Sequence, residues 1–219
     1  ERLDVLIANA GISPEGFELS PDDNEMSAQV NVISTFLLSF LLLPQLQQTS
    51  RKHDVKTHLE IVSSELYQIA GKPSGTDLYE SLNDEAKFGS ASQYSLTKLV
   101  EVFVCRELAA KVSSPIVTVV NPGLCVSEIG RNMKGINSMM RTALSSIMAR
   151  TTEVGSRCLV AGACGGEESH GQFMSDGANQ EVAAWLESEE GKTIQRQVWD
   201  QTLEKLEQLE PDLRKKAGL

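Results

Sequence analysis

The sequence is short of aromatic residues, histidine, paired cysteines and positive charge, and each shortage removes a class of function. Aromatic residues are only 5% of the 219, while hydrophobic residues are 41%, so a core must be built from Val, Ile, Leu and Ala, as in α/β domains. A formal charge of −10 is repelled by phosphate backbones and anionic lipid surfaces, so neither nucleic acid nor a charged membrane is an expected partner. His53, His58 and His170 have no metal-ligand spacing and read as surface or loop residues, so no zinc site is expected. Cys105, Cys125, Cys158 and Cys164 show no Cys-x-x-Cys spacing, and no Asn-x-Ser/Thr sequon occurs, which fits a reducing, cytoplasmic setting. The longest apolar stretch, Val32 to Leu43, carries Ser34, Thr35 and Ser39 and stops at Pro44. It falls short of the roughly 20 residues that span a bilayer, so it reads as a helix packed on a sheet.

What is present alternates. The pattern predicts a strand at Val5–Ala8, a helix over Asn24–Leu43, a strand at Leu59–Ser63 and a long connection over Glu65–Ser90 with a short helix near Ser81–Lys87. A helix follows from Ser92 to about Val112, then a β-branched strand at Ile116–Val120 between Pro115 and Pro122. Helices at Met133–Met148, at Thr152–Ala163 (capped by Thr151 or Thr152) and at Thr193–Leu209 are expected, with a last strand at Phe173. Alternating strands and helices imply an α/β fold with a doubly wound parallel sheet, in one domain over 1–219 with a helical tail from about 188.

The most informative pair is Tyr94 and Lys98, one helical turn apart in Tyr94-Ser95-Leu96-Thr97-Lys98. An unperturbed tyrosine titrates near ~10, and an adjacent ammonium favours the phenolate. The pair could hand a proton to a carbonyl or take one from an alcohol, yet the spacing alone also fits any solvated helix face. Asn9, Ser64 and Pro122-Gly123 fall just past strand ends, where ligands gather in parallel sheets. Each has a plainer reading as a turn or cap.

The ordered set Leu6-Ile7-Ala8-Asn9-Ala10-Gly11, Asn31, Ser63-Ser64, Tyr94-x-x-x-Lys98 and Asn121-Pro122-Gly123 resembles the short-chain dehydrogenase/reductase family over nearly every residue from Leu3 to about Asp176. The tail, with Gly166-Glu167-Glu168-Ser169-His170-Gly171, is most similar to fungal, retinol-dehydrogenase-like members. The resemblance implies a Rossmann-like fold and an NAD(P)-dependent oxidoreductase that interconverts a carbonyl and an alcohol on a small hydrophobic substrate, with NADP favoured over NAD. It also implies catalytic roles for four residues: Tyr94 as proton donor and acceptor, Lys98 lowering the Tyr94 pKa and holding the nicotinamide ribose, Ser64 bonding the reacting oxygen, and Asn31 anchoring a relay water. Cofactor contacts would come from Asn9, Tyr94, Lys98, Pro122, Gly123, Cys125 and Ser127, and a homodimer would form through the helices carrying Asn31 and Tyr94.

Several features depart from the family pattern. Ala8 stands in place of an Asn, Cys125 in place of a Val or Ile, and the Ser64–Tyr94 separation of 94 − 64 = 30 residues is long. The added residues, including Lys72-Pro73-Ser74-Gly75, form a loop that either borders the substrate or is mere surface. Glu128–Met148, with Met133, Met139, Met140 and Met148, reads as an adaptable apolar lid or as core filling. The cluster Gly162-Ala163-Cys164-Gly165-Gly166 follows a helix and precedes a strand, the reverse of a dinucleotide loop. The family's phosphate loop and first β-α-β-α-β half would precede Leu3, so a truncated chain is expected, with Val5–Ala8 as a sheet edge. A catalytically silent homolog acting as a binding or interaction module, and an epimerase or dehydratase, stay open as alternatives.

Overall fold

The computed structural model describes residues 2–73, 77–126 and 149–219. Five strands form one sheet in chain order: β1 (Val5–Ala8), β2 (His58–Val62), β3 (Ile116–Asn121), β4 (Phe173–Ser175) and β5 (Ala178–Gln180). The first four are parallel, and β5 returns antiparallel to β4. This is an α/β, Rossmann-like sheet flanked by helices. Among the described residues, β1 pairs with β2 alone and lies at the edge.

The two faces of the sheet differ. Leu59, Ile61, Val117, Val119 and Phe173 point to one side and join the main core. That side is covered by α1 (Thr35–His53), α3 (Ser90–Lys111), α5 (Glu189–Leu209) and α6 (Leu213–Ala217). The alternate residues, Val120 and Met174, face α4 (Thr152–Ala163) and form a small cluster with Cys158. Period-two alternation of strand side chains separates the two sets. β3 is buried along its whole length, as expected of an Ile/Val-rich strand inside a parallel sheet.

The first long helix runs further than the sequence pattern predicts. A π-helical stretch, Ala28–Ser34, leads into α1, which continues nine residues beyond Pro44 to His53. Proline removes one backbone donor, but Leu46 and Thr49 on the far side remain buried and extend the packed stripe. Asp54 then closes the helix in the left-handed region (φ 52°), behind Arg51, Lys52 and His53 in the last turn. Ala28–His53 is therefore 26 residues long; its most apolar 18-residue window has a mean hydropathy of 1.5, enough by length and composition to cross a membrane, but half of that window is buried inside the protein. At its start the Glu25 carboxylate accepts from the Ser27 and Ala28 amides, each at 3.0 Å, and from Gln93 Nε2, also at 3.0 Å. This carboxylate ties the helix entry to α3.

Other boundaries move modestly. The short helix expected near Ser81–Lys87 resolves into α2 (Leu78–Leu82), capped by Asp77, and a 3-10 turn at Glu85–Lys87. Thr151 caps α4, and Ser188 caps α5 at Glu189, earlier than the predicted Thr193. The hairpin β4–β5 was not anticipated, although Asp176-Gly177, both at positive φ, is the turn chemistry that selects it.

Two histidines are structural rather than superficial. His58 is buried in β2. His170 Nδ1 accepts the Val117 amide at 3.1 Å, so Nε2 carries the proton and donates to the Ala109 and Val112 carbonyls, each at 2.9 Å. The ring bonds the start of β3 to the end of α3. Cys105 and Cys158 are buried, as expected. No group of metal-ligating side chains gathers among the described residues.

Candidate active site

Tyr94 sits one turn into α3, and Lys98, one turn further on, reaches the Val62 carbonyl at the carboxyl end of β2. The tyrosine residue is 9% exposed. Lys98 lies under it, Nζ 5.5 Å from the ring centroid, within cation–π reach. Ser63 and Ser64, just past β2, divide their work. Ser63 is buried and donates to the Lys98 carbonyl oxygen at 3.4 Å. Ser64 is half-exposed; its Oγ accepts the Leu66 amide at 3.3 Å as a cap for residues 65–69 and stands near enough to the Tyr94 hydroxyl to favour its ionisation. The plain capping role and proximity to the phenol coexist in one side chain.

The expected depression of the Tyr94 pKa is not what the geometry produces. Burial raises it, Lys98 pulls it down, and Glu101 pushes it up again; the net shift is upward. Lys98 is internal as well. Its ammonium donates to the Val62 carbonyl at 3.0 Å and to Glu101 Oε1 at 2.8 Å, and the two side chains of this ion pair are only 3% and 1% exposed.

Asn31 is buried, and its side chain is committed to protein partners. Oδ1 accepts the Ile12 amide at 2.8 Å, while Nδ2 donates to the Ile12 carbonyl and to Thr97 Oγ1, each at 3.0 Å. It staples the loop after β1 to α3, one residue before Lys98. Gly11 sits in that loop, and a Cβ there would stand 3.6 Å from both Asn31 Oδ1 and Lys98 Nζ. Asn9 is exposed at the end of β1. Past β3, Asn121 Oδ1 accepts the Gly123 amide at 3.1 Å, and Gly123 takes a positive φ of 76° that turns the chain outward. Cys125 is half-buried: its thiol donates to the Pro122 carbonyl at 3.5 Å and lies against Gly155, where an added Cβ would be 2.3 Å from the sulfur. The exposed apolar groups at this rim are instead Leu124 (46%) and Val126 (58%). Ser127 and the Glu128–Met148 lid lie outside the described residues.

A short-chain dehydrogenase/reductase of Phaeosphaeria nodorum is 37% identical over 217 residues, covering 96% of this chain and 64% of the relative. One from a Cryptosporiopsis species is 38% identical over 220 residues, covering 96% and 67%. The chain belongs to the short-chain dehydrogenase/reductase family. It spans about two thirds of the length of these curated relatives. No protein-family model matches the chain. Among solved structures, a Mycobacterium paratuberculosis protein aligns with TM-score 0.61 at 21% identity, over 95% of this chain and 67% of the other. An NADPH-bound carbonyl reductase from chicken fatty liver aligns with TM-score 0.55 at 20% identity, over 83% and 66%. At these identities the structures establish the shared fold.

The nicotinamide cofactor that the family implies fits the rim at one end only. Gly11 leaves room beside Asn31 and Lys98, and Leu124 and Val126 offer an apolar wall for a flat ring. Gly162–Gly166 closes α4 ahead of β4. Among the described residues no glycine-rich turn leads from a strand into a helix, so none cradles a pyrophosphate.

Sequence reasoning missed Glu101 and Thr97, and placed Ser63 in the Ser63-Ser64 pair without giving it a role. The opposite charge three residues beyond Lys98 was the available signal for Glu101. Ser63 and Thr97 act through neighbours that only the fold brings close.

Proposed function

We propose that this chain carries the proton-handling side of an NAD(P)-dependent oxidoreductase that interconverts a carbonyl and an alcohol on a small hydrophobic molecule. The observation that carries the reading is a phenol, Tyr94, placed between the Ser64 hydroxyl and a buried ammonium at the carboxyl rim of a parallel sheet. A bound reduced nicotinamide would supply the hydride to the carbonyl carbon. Ser64 donates a hydrogen bond to the carbonyl oxygen, holding it where negative charge grows. Tyr94 gives its proton to that oxygen, completing the alcohol, and Lys98 stabilises the phenolate left behind. In the reverse direction the same phenolate takes the alcohol proton. Asn31 keeps the loop carrying Gly11 at its distance from α3. The apolar Leu124 and Val126 favour an apolar substrate. NADP is the favoured cofactor by family resemblance, and cytoplasmic residence fits the scattered free thiols.

The test is loss of reduced-nicotinamide absorbance with the intact gene product and a panel of hydrophobic ketones and aldehydes. Turnover with NADPH or NADH is the expected result. Binding of neither cofactor by the folded protein would sink the reading.

A further inference from the structure

Lys98 is the only cation beside Tyr94 among the groups that shift it, and a carboxylate on its own helix occupies it. We propose that Glu101 is a positioning residue for the Tyr94–Lys98 pair: by holding the Lys98 ammonium inside the protein it keeps the Tyr94 proton in place and readies the site for carbonyl reduction. This rests on the oxidoreductase reading and names its favoured direction.

Two features of the geometry and two of the electrostatics support it. The bond from Lys98 Nζ to Glu101 Oε1, at 2.8 Å, is shorter than its 3.0 Å bond to the Val62 carbonyl, and together they draw the ammonium toward the end of β2. Glu101 Oε2 has no partner among the described residues, so Lys98 is the carboxylate's principal partner. Burial holds Glu101 well above the ordinary carboxylate range against the pull of Lys98 and of the Ser63 hydroxyl. Finally, Glu101 acts on Tyr94 with the sign opposite to Lys98.

The other titratable groups nearby do not compete. Cys105 on the same helix feels Glu101, and burial holds its thiol neutral. Residues 65–69 pack on α3, but Glu65 bonds Ser175 and the Tyr67 hydroxyl accepts the Ala183 amide. On the α5 side, Arg106 is paired with Glu187. The π-helical stretch contributes the neutral Asn31, and β3 contributes no charged side chain.

When Glu101 is ionised it offsets the field of Lys98, so Tyr94 keeps its proton to higher pH. A protonated phenol is what carbonyl reduction consumes; alcohol oxidation needs the phenolate. Reduction should therefore fall, and oxidation rise, across one and the same high-pH transition of Tyr94.

The test is NMR titration of ¹³C-tyrosine Cζ signals in the full chain, whose three tyrosines give three resonances, with Tyr94 assigned from Tyr94→Phe. Glu101→Gln should lower the Tyr94 midpoint by about one pH unit, and the pH profile of reduction should shift with it. Glu101→Asp should restore most of the original midpoint. Glu60→Gln, at a buried glutamate elsewhere, should leave it unmoved. If Glu101→Gln does not fold, the wild-type protein decides: the Glu101 Cδ and Tyr94 Cζ signals must share an inflection. An unmoved Tyr94 midpoint in folded Glu101→Gln, an equal shift in Glu60→Gln, or no shared inflection would each overturn the proposal. Absence of turnover in every protein, with the tyrosine shift intact, would instead overturn the oxidoreductase reading.

Discussion

Two glutamates are buried on opposite sides of one sheet; burial raises the pKa of both, but only one has a counter-charge. Glu101, on the face covered by α1, α3 and α5, shares a sealed ion pair with Lys98. Glu60, in the middle of β2 and facing α4, has neither carboxyl oxygen partnered among the described residues, and burial lifts its pKa to about 8. Its neighbours are no better served: Thr118 Oγ1 and His58 Nδ1 are also without partners among the described residues. Gly162 of α4 presses on it so closely that a Cβ there would lie 2.6 Å from a Glu60 oxygen. Further out on this face Val5 and Ile7 are each 38% exposed. Burying charge is tolerated where a counter-charge and donors surround it; elsewhere the group takes a proton instead. The face that supplies counter-charge and donors is the one that carries Tyr94.

The sharpest way to break this comparison is chemical. Tyr94→Phe removes only a hydroxyl from the well-ordered face, and turnover should fall by about 10²–10⁴-fold, the usual worth of a positioned acid–base group, while cofactor binding stays within a few-fold. Retained turnover would take the phenol out of the reaction and leave the ordered face without its assigned chemistry.

Next in size is a loss of stability. Glu101→Leu leaves Lys98 buried without its counter-charge, at an expected cost of about 3–5 kcal/mol in urea unfolding. A cost below about 1 kcal/mol would mean that the ammonium finds water or another partner, and the two faces would then differ less than their bonds imply.

Glu60→Gln should act in the other direction. The folded protein keeps the Glu60 proton to about pH 8, whereas the free side chain releases it near 4.5. Between those values the unfolded chain binds fewer protons than the folded one, so stability falls as pH rises through this window and is flat above it. Glutamine cannot ionise, and the variant should gain up to about 3 kcal/mol at pH 7, with the slope between those pH values reduced. An unchanged slope in thermal or urea unfolding would show that Glu60 is ionised and partnered in solution.

Much of this contrast was out of reach of the sequence for a physical reason. The ordered motifs from Asn9 to Gly123 located the rim, because they recur at strand ends and helix starts whose periods are local. Val5–Ala8 and Thr152–Ala163 match their predicted bounds for the same reason. The net effect on Tyr94 was not legible, since it depends on burial and on Glu101, which a Tyr-x-x-x-Lys spacing does not include. His170 read as a loop residue because its three bonding partners lie 53 to 61 positions away. The passage of α1 through Pro44 was hidden because local propensity argues for a stop, while tertiary burial of Leu46 decides otherwise.

The smallest effect tests whether the poorly served face is as unsatisfied as its bonds indicate. Thr118 and Glu60 are register partners on β3 and β2, so their side chains leave the sheet on the same side. Thr118→Val deletes a buried hydroxyl that lacks a partner and keeps nearly the same shape, so stability should rise by about 1 kcal/mol. Combined with Glu60→Gln, the two gains should add to within about 0.5 kcal/mol if each group is unpaired on its own account. A destabilising Thr118→Val, with a coupling larger than that, would mean that the hydroxyl and the carboxyl bond one another in solution. Glu60 would then have a donor after all, and the contrast with Glu101 would reduce to the presence or absence of a neighbouring cation.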